Sequence, residues 1–223
     1  MTKQLKVALF VIVGVLLADQ LIKIYVKTHF YLGEEYTFFS WFKIHFTENP
    51  GMAFGFEFGG VWGKLLLSLF RIGAAAFGVY YLRKIIKNKM HLGYVASIGF
   101  IFAGAVGNII DSMFYGLCFS DSEMGPAIFM PAGGGYESFL HGRVVDMFYF
   151  PIMQGNFPDW VPFWGGEYFV FFRPVFNLAD ASISAGVIAI LLWQKRFFPH
   201  PAPVVKQEET SAQSEPLNNV SND

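Results

Sequence analysis

The chain has 223 residues, of which 54% are hydrophobic, 19% aromatic and 15% charged, against about 25% charged in an average soluble protein. Sixteen Lys and Arg against 17 Asp and Glu give a net charge of −1, so no basic field is available to grip nucleic acid. A lone cysteine, Cys118, rules out an internal disulfide or a Cys-rich metal site, and the composition argues against a disordered chain or an ordinary soluble enzyme, pointing to a multi-pass membrane protein.

A helix needs about 20 mostly apolar residues to cross a bilayer, and four stretches qualify. The first covers residues 6–26 and is uncharged from Val7 to Ala18. It is too long for a typical signal-peptide core and lacks a small-x-small cleavage site, so it is read as retained. Residues 27–61 follow, with strand-like alternation over 37–46 and a Gly-rich turn over 51–60. The second span, 62–82, is interrupted only by Lys64 and Arg71, and the third, 92–110, carries no formal charge. Residues 115–175 are rich in Gly, Pro and aromatics. Within them the run 157–164, with Pro158, Trp160 and Pro162, reads as an ordered surface loop or a membrane-hugging aromatic belt. The fourth span, 176–193, is interrupted by Asp180. From Pro199 onward the chain is polar and reads as a disordered cytoplasmic tail, giving a membrane domain over 1–198 and a tail over 199–223.

Basic residues set the orientation. With both termini inside, nine Lys and Arg face inward, among them the short-loop cluster Arg83, Lys84, Lys87 and Lys89; five lie in the longer outer loops and two, Lys23 and Arg71, fall within spans. The expected fold is therefore an all-α integral membrane protein of four transmembrane helices, N-in and C-in, with a small extracytoplasmic β-rich region.

That topology gathers ionisable groups which are expensive inside a membrane and usually functional. Asp19 lies about 11 Å from the outer end of the first span, Asp111 at the outer end of the third, and Asp180 about 6 Å into the fourth. Asp146 sits in an apolar run of the outer segment. Four carboxylates thus share one depth. Asp19 and Lys23 are four apart on one helix face and can pair. Asn108 with Asp111, and Asn177 with Asp180, each share a face, so each Asn can orient its neighbour. Ala103, Gly104 and Gly107 read as close helix packing. Arg71, about 14 Å inside the second span, either pairs with Asp19 or meets substrate backbone or a lipid headgroup. The five His show no zinc-protease spacing, and neither a nucleophile elbow nor a P-loop is present. What remains is a pair of carboxylates sharing a proton, which can hydrolyse an amide without a covalent intermediate. Two other classes stay open at this level: a carrier with Asp proton relays, and a non-catalytic assembly factor or receptor.

Five segments, in order along the chain, carry a resemblance. Asp19-Gln20-x-x-Lys23 looks like a first-helix motif. Asn49-Pro50-Gly51-Met52-Ala53-Phe54-Gly55 resembles N-x-G-x-A-F-G, and Gly104 to Asp111 is similar to G-x-x-G-N-x-x-D. His141-Gly142-Arg143-Val144-Val145-Asp146 resembles H-G-x-V-V-D, and Phe176-Asn177-Leu178-Ala179-Asp180 resembles F-N-x-A-D. On a four-span scaffold this set resembles the bacterial lipoprotein signal peptidases (signal peptidase II). The resemblance implies an aspartic endopeptidase with Asp146 and Asp180 as its catalytic pair. It implies cleavage of diacylglyceryl-modified prolipoproteins just before the lipidated Cys, with Asn49, Gly51, Asn108 and Asn177 lining or shaping the site. No metal or organic cofactor is implied. Prolipoprotein and membrane lipid are the expected partners, and the chain is expected as a monomer of the bacterial inner membrane with its active site at the outer face.

Two departures from the family pattern stand out. Ser112 follows Asp111 where the family motif usually has Arg, so Asp111 needs another cation, for which Arg143 is the candidate. The segments 117–140 and 151–173 also lengthen the outer region, as a lid, a partner surface or tolerated insertions, with Cys118 a bystander in the first.

Overall fold

The structure, a computed structural model, describes residues 1–50 and 60–198. Gly51, the rest of the Gly-rich turn and the tail 199–223 lie outside the described residues. Helix α1 runs Lys3–His29, its N-terminus capped by Thr2, whose side chain accepts from the Leu5 N–H. The hairpin β1 (Glu35–Phe39) and β2 (Phe42–Asn49) follows, then α2 (Gly60–Lys87) and α3 (Leu92–Ile110). α3 continues through one π-helical turn, Asp111–Tyr115, into the short α4 (Gly116–Cys118). Strands β3 (Val144–Tyr149), β4 (Met153–Asn156), β5 (Tyr168–Phe171) and β6 (Val175–Phe176) lead to α5 (Leu178–Leu192) and α6 (Gln194–Phe197).

Two continuous helical stretches, Lys3–His29 and Leu92–Cys118, each of 27 residues, are long and apolar enough to cross a membrane, and Leu178–Leu192 is a shorter apolar helix. Their polarity is inverted relative to a soluble protein. Asp19, Lys23 and Asp111 are fully buried, while Phe10 (82% exposed), Leu21, Phe70, Leu191 and Leu192 face outward. In water such a surface would be one large apolar patch; against lipid tails it is the favourable arrangement. The chain is an integral membrane protein.

The helices pack around α3, which lies against α1, α2 and α5. Close approach requires small residues. A Cβ on Gly104 would come within 2.2 Å of the Ala179 carbonyl oxygen, and one on Gly107 within 2.7 Å of an Asp19 carboxylate oxygen. Gly104 lets α3 meet the α5 backbone directly, and Gly107 leaves room for the Asp19 side chain of α1, the close packing that these small residues suggested.

At one end of the helices sits a four-stranded antiparallel sheet, ordered β1-β2-β3-β6. Asp146 pairs with Thr47 across β2. Val145 and Met147 are fully buried and join Val26, Phe46, Tyr115 and Phe119 in one apolar cluster. Strand alternation turns Asp146 to the opposite face. A second cluster at the other end holds Ala8, Leu82, Ile85, Tyr94, Val95 and Phe197.

The fourth helix begins at Leu178 rather than at 176. Phe176 pairs first with Phe148 as part of β6, and Asn177 then caps the helix. Asp180 therefore sits in the first turn of α5, nearer the helix end than the sequence spacing implied. The first outer insertion is no loose loop. Phe119, Ser122 and Ala127 are buried in it, and the Ala127 N–H donates to the Lys27 carbonyl at 2.9 Å. The second insertion forms the separate β4–β5 hairpin.

Candidate active site

Where the helices meet the sheet, one connected set of polar side chains is held in place. Lys23 Nζ lies 2.9 Å from an Asp19 oxygen and 2.8 Å from an Asp111 oxygen, with all three side chains fully buried. It also donates to Asn108 Oδ1 at 2.8 Å. Gln20 Nε2 donates to Asp111 Oδ1 at 2.9 Å, and Tyr115 Oη donates to Gln20 Oε1 at 3.2 Å. One ammonium between two carboxylates, each carboxylate with further donors, satisfies charges that would otherwise be costly to bury.

Asp111 is thereby paired with Lys23, not with Arg143. The reason is tertiary. The Asp111 carboxylate, at the start of the π-helical turn, meets Lys23 of α1 at 2.8 Å, whereas Arg143 reaches Glu48 at 3.1 Å and Asp121 at 3.2 Å. Asp19 likewise takes Lys23 as its cation, and among the described residues the charges of Asp180, Asp111 and Asp146 act on Arg71. Arg71 lies 3.5 Å from the Ser112 hydroxyl. With Ile72, Ile109, Met113 and Leu140 these two line a crevice between α2 and the end of α3.

Asp146 and Asp180 come from different elements and meet through Asn177. Pairing of Phe148 with Phe176 and of Tyr149 with Val175, extended two residues, sets Asp146 level with the first turn of α5. Asn177 Nδ2 donates to Asp146 Oδ1 at 2.7 Å and to Asn108 Oδ1 at 3.1 Å. Asn108 Nδ2 donates to Asp180 Oδ1 at 2.8 Å. The Asn177 side chain also caps α5 by accepting from the Asp180 N–H at 3.0 Å, while the Asp180 carboxylate accepts from the Asn177 N–H, a reciprocal capping box. Asn49, at the end of β2, adds a hydrogen bond to Asp146.

Asp19 and Asp111 hold the backbone beside this pair. The Ala179 N–H, one residue before Asp180, donates to Asp19 Oδ1 at 2.9 Å. The Val145 N–H, one residue before Asp146, donates to Asp111 Oδ2 at 3.4 Å. The Lys23 ammonium joins the two supports, so α1 and α3 jointly fix where β3 and α5 present their carboxyls.

The environment separates Asp146 from an ordinary aspartate. It is 5% exposed. Burial, and then the charge of Asp180, push its carboxyl up from 3.8 to about 7, against the opposing pull of the Asn177 hydrogen bond, the Lys23 charge and the Asn49 hydrogen bond. A carboxyl near 7 can give or take a proton close to neutral pH. Among the described residues no group of three or more His, Cys, Asp or Glu is arranged to hold a metal ion.

Of the residues singled out from the sequence, Asp19, Lys23, Asn49, Asn108, Asp111, Asp146, Asn177 and Asp180 form this one network. Arg71 borders it, and Arg143 belongs to a second cluster. There Lys27, fully buried, pairs with Glu48, and Ser122 Oγ lies 2.9 Å from Lys27 Nζ and donates to Glu48 at 2.8 Å. Lys27 Nζ lies 4.9 Å from the Tyr136 ring centre, and Arg143 stacks on the same ring at 5.0 Å. This cluster pins the first insertion onto α1 and β2. Sequence reasoning carried Gln20 only as part of the first-helix motif, with no role, and missed Lys27 and Glu48. Lys27 lies four residues beyond Lys23 on the same helix face, the one signal that pointed to it.

Residues 11–196 match the model of a protein family described as signal peptidase (SPase) II. The chain is 54% identical over 192 residues to a lipoprotein signal peptidase of Porphyromonas gingivalis (strain ATCC 33277), covering 86% of this chain and 84% of that protein. It is 37% identical over 196 residues to a lipoprotein signal peptidase of Amoebophilus asiaticus (strain 5a2), covering 86% and 78%. In fold it is similar to a solved structure described as a bacterial membrane enzyme obtained by the in meso method at 1.9 Å resolution, with a TM-score of 0.53 and 23% identity over 84% of this chain and 91% of that one.

Proposed function

The chain belongs to the signal peptidase II family, aspartic peptidases that process lipoproteins, and from that membership we propose that it removes the signal peptide of diacylglyceryl-modified prolipoproteins by cutting just before the lipidated Cys, with Asp146 and Asp180 as the catalytic pair. The observation that carries the assignment is Asn177. Its side chain bonds Asp146 and its backbone bonds Asp180, so one residue couples a carboxyl from a strand to a carboxyl from a helix.

The two acids share one proton and take different roles. Asp146, pushed up to about 7, is the protonated partner near neutral pH. Asp180 stands in the first turn of α5 and acts as the base of the pair. Asp180 takes a proton from a water molecule as its oxygen attacks the scissile carbonyl carbon. Asp146 gives its proton to the carbonyl oxygen. When the tetrahedral intermediate collapses, that hydroxyl proton returns to Asp146, the proton held by Asp180 passes to the departing nitrogen, and the C–N bond breaks. Asn49, Asn108 and Asn177 orient the pair. Asp19, Lys23 and Asp111 position it through the backbone, and Arg71 supplies a second positive charge beside Ser112, where the family motif usually has Arg.

The surrounding architecture is four spans, α1, α2, α3 and α5, with both termini in the cytoplasm of a bacterium and the site at the outer face of the inner membrane. Residues 1–198 are the peptidase domain, 199–223 a cytoplasmic tail, and the working unit a monomer. At that depth a diacylglyceryl chain held in the outer leaflet delivers its Cys to the pair.

Purified protein in detergent, incubated with a diacylglyceryl-modified prolipoprotein and with the unlipidated form, tests this reading. Cleavage of the lipidated form alone, lost in both Asp146→Asn and Asp180→Asn, is the expected result. Retained cleavage in either well-folded variant would remove that residue from the catalytic pair.

A further inference from the structure

The β4–β5 hairpin takes no part in the network above and forms a two-stranded sheet of its own. Met153 pairs with Phe171 and Gly155 with Phe169 on one face, Gln154 with Val170 and Asn156 with Tyr168 on the other. The second face carries the polar groups, and Tyr168 Oη donates to Gln154 Oε1 at 2.9 Å. The hairpin is amphipathic. Its turn carries Trp160 at 81% exposure, Phe163 at 94% and Trp164 at 57%. From 151 to 172 the chain has Asp159 and Glu167 but no Lys or Arg.

A lone two-stranded hairpin is marginal in water, and an exposed aromatic cluster marks a surface that meets something apolar. The position of this hairpin says what that is. Three residues after β5 the chain enters β6, and Asn177 then caps α5, whose outward residues Ile188, Leu191 and Leu192 are apolar and exposed. Phe172 lies 6.1 Å from Phe176, ring centre to ring centre, and Phe150 lies 5.6 Å from it, so the base of the hairpin runs directly into the end of that lipid-facing helix. Trp and Tyr gather at this level of a membrane, where an apolar ring and a polar edge are both accommodated.

We propose that the β4–β5 hairpin is a membrane-surface anchor whose turn, through Trp160, Phe163 and Trp164, enters the boundary between headgroups and acyl chains beside the candidate active site. The inference rests on the reading of α5 as a span, and not on the catalytic pair.

Quenching by lipid tests it on the full chain in nanodiscs of phosphatidylcholine, with or without bromine on the acyl chains near the headgroup. Subtracting the emission of Trp160→Phe/Trp164→Phe from that of the unsubstituted protein isolates the two hairpin tryptophans, and Phe keeps an aromatic ring at each place. We expect roughly half or more of this difference emission to be lost in brominated lipid, because interfacial rings sit against the upper acyl chains. Emission quenched by aqueous acrylamide but not by bromine would place the hairpin in water and overturn the proposal. Emission quenched by neither would overturn it in favour of protein cover, by a second copy or another chain. Prolipoprotein cleavage followed on the same samples keeps the two readings apart. Its absence in unsubstituted protein counts against the peptidase assignment and leaves the quenching result intact.

Discussion

Replacing Asp146 by Asn should abolish cleavage and at the same time stabilise the folded protein at alkaline pH. The Asp146 carboxyl is raised from 3.8 to about 7 by burial and by the neighbouring Asp180. The folded state therefore holds this proton more tightly than the unfolded chain does. Below about pH 4 both states are protonated and the group favours neither. Between about 4 and 7 unfolding releases the proton, so stability falls as pH rises, and above 7 the loss is complete. About three units at 1.36 kcal/mol per unit give about 4 kcal/mol. Asn cannot ionise, and its side-chain oxygen can still accept from Asn177 Nδ2, which donates to Asp146 at 2.7 Å. In a chain of 223 residues that difference is worth roughly 8–16 °C in Tm. Tm followed by tryptophan emission in detergent, for both proteins at pH 4.5, 6.5 and 8, measures it. The advantage of Asp146→Asn should be small at the lowest pH and grow steadily to the highest. A Tm difference unchanged across this range would refute the argument that burial beside Asp180 strains Asp146.

The rate of prolipoprotein cleavage should fall as pH rises through about 7, as the shared proton leaves Asp146; Asn177→Ala, which removes a bond favouring the ionised form, should move that limb to higher pH, and a limb that stays in place would detach Asn177 from the pair. Lys23→Met leaves the buried Asp19 and Asp111 without their cation and should cost about 3–5 kcal/mol in thermal or denaturant unfolding; adding Asp111→Asn should recover part of the loss, and full stability of the single variant would contradict the bridging role. Gly104→Ala forces a methyl group against the Ala179 carbonyl and should lower stability by about 1–3 kcal/mol and reduce cleavage by shifting Asp180, whereas Gly14→Ala, with nothing within 4 Å of the new carbon, should leave both near the starting level.

Much of the candidate site is legible in the sequence, because membrane cost makes each intramembrane ionisable residue conspicuous. Asp19, Lys23, Asp111 and Asp180 stand out in apolar surroundings, and helical spacing joins Asp19 to Lys23 and Asn108 to Asp111. The small residues at 104 and 107 announced close packing for the same reason, since a backbone can approach only where no side chain intervenes. Expectation failed where distance along the chain gave no guide. Arg143, near Asp146 in sequence, turns to Glu48 and Asp121, while the cation of Asp111 comes from 88 residues earlier.

The sequence by itself determined the apolar helices, the alternation that became the β1–β2 hairpin, the polar positions at one end of the helices and the resemblance to a peptidase family. Local periodicity and transfer cost are properties of short segments, and they survive without a fold. Tertiary structure alone decided that Asn177 couples Asp146 to Asp180, that Asp19 and Asp111 grip the backbone beside each of them, and that Lys27 and Glu48 fasten the first insertion. Those relations depend on the register of β3 against β6 and on the approach of α3 to α5, and each joins residues tens of positions apart whose individual identities carry no trace of their partners.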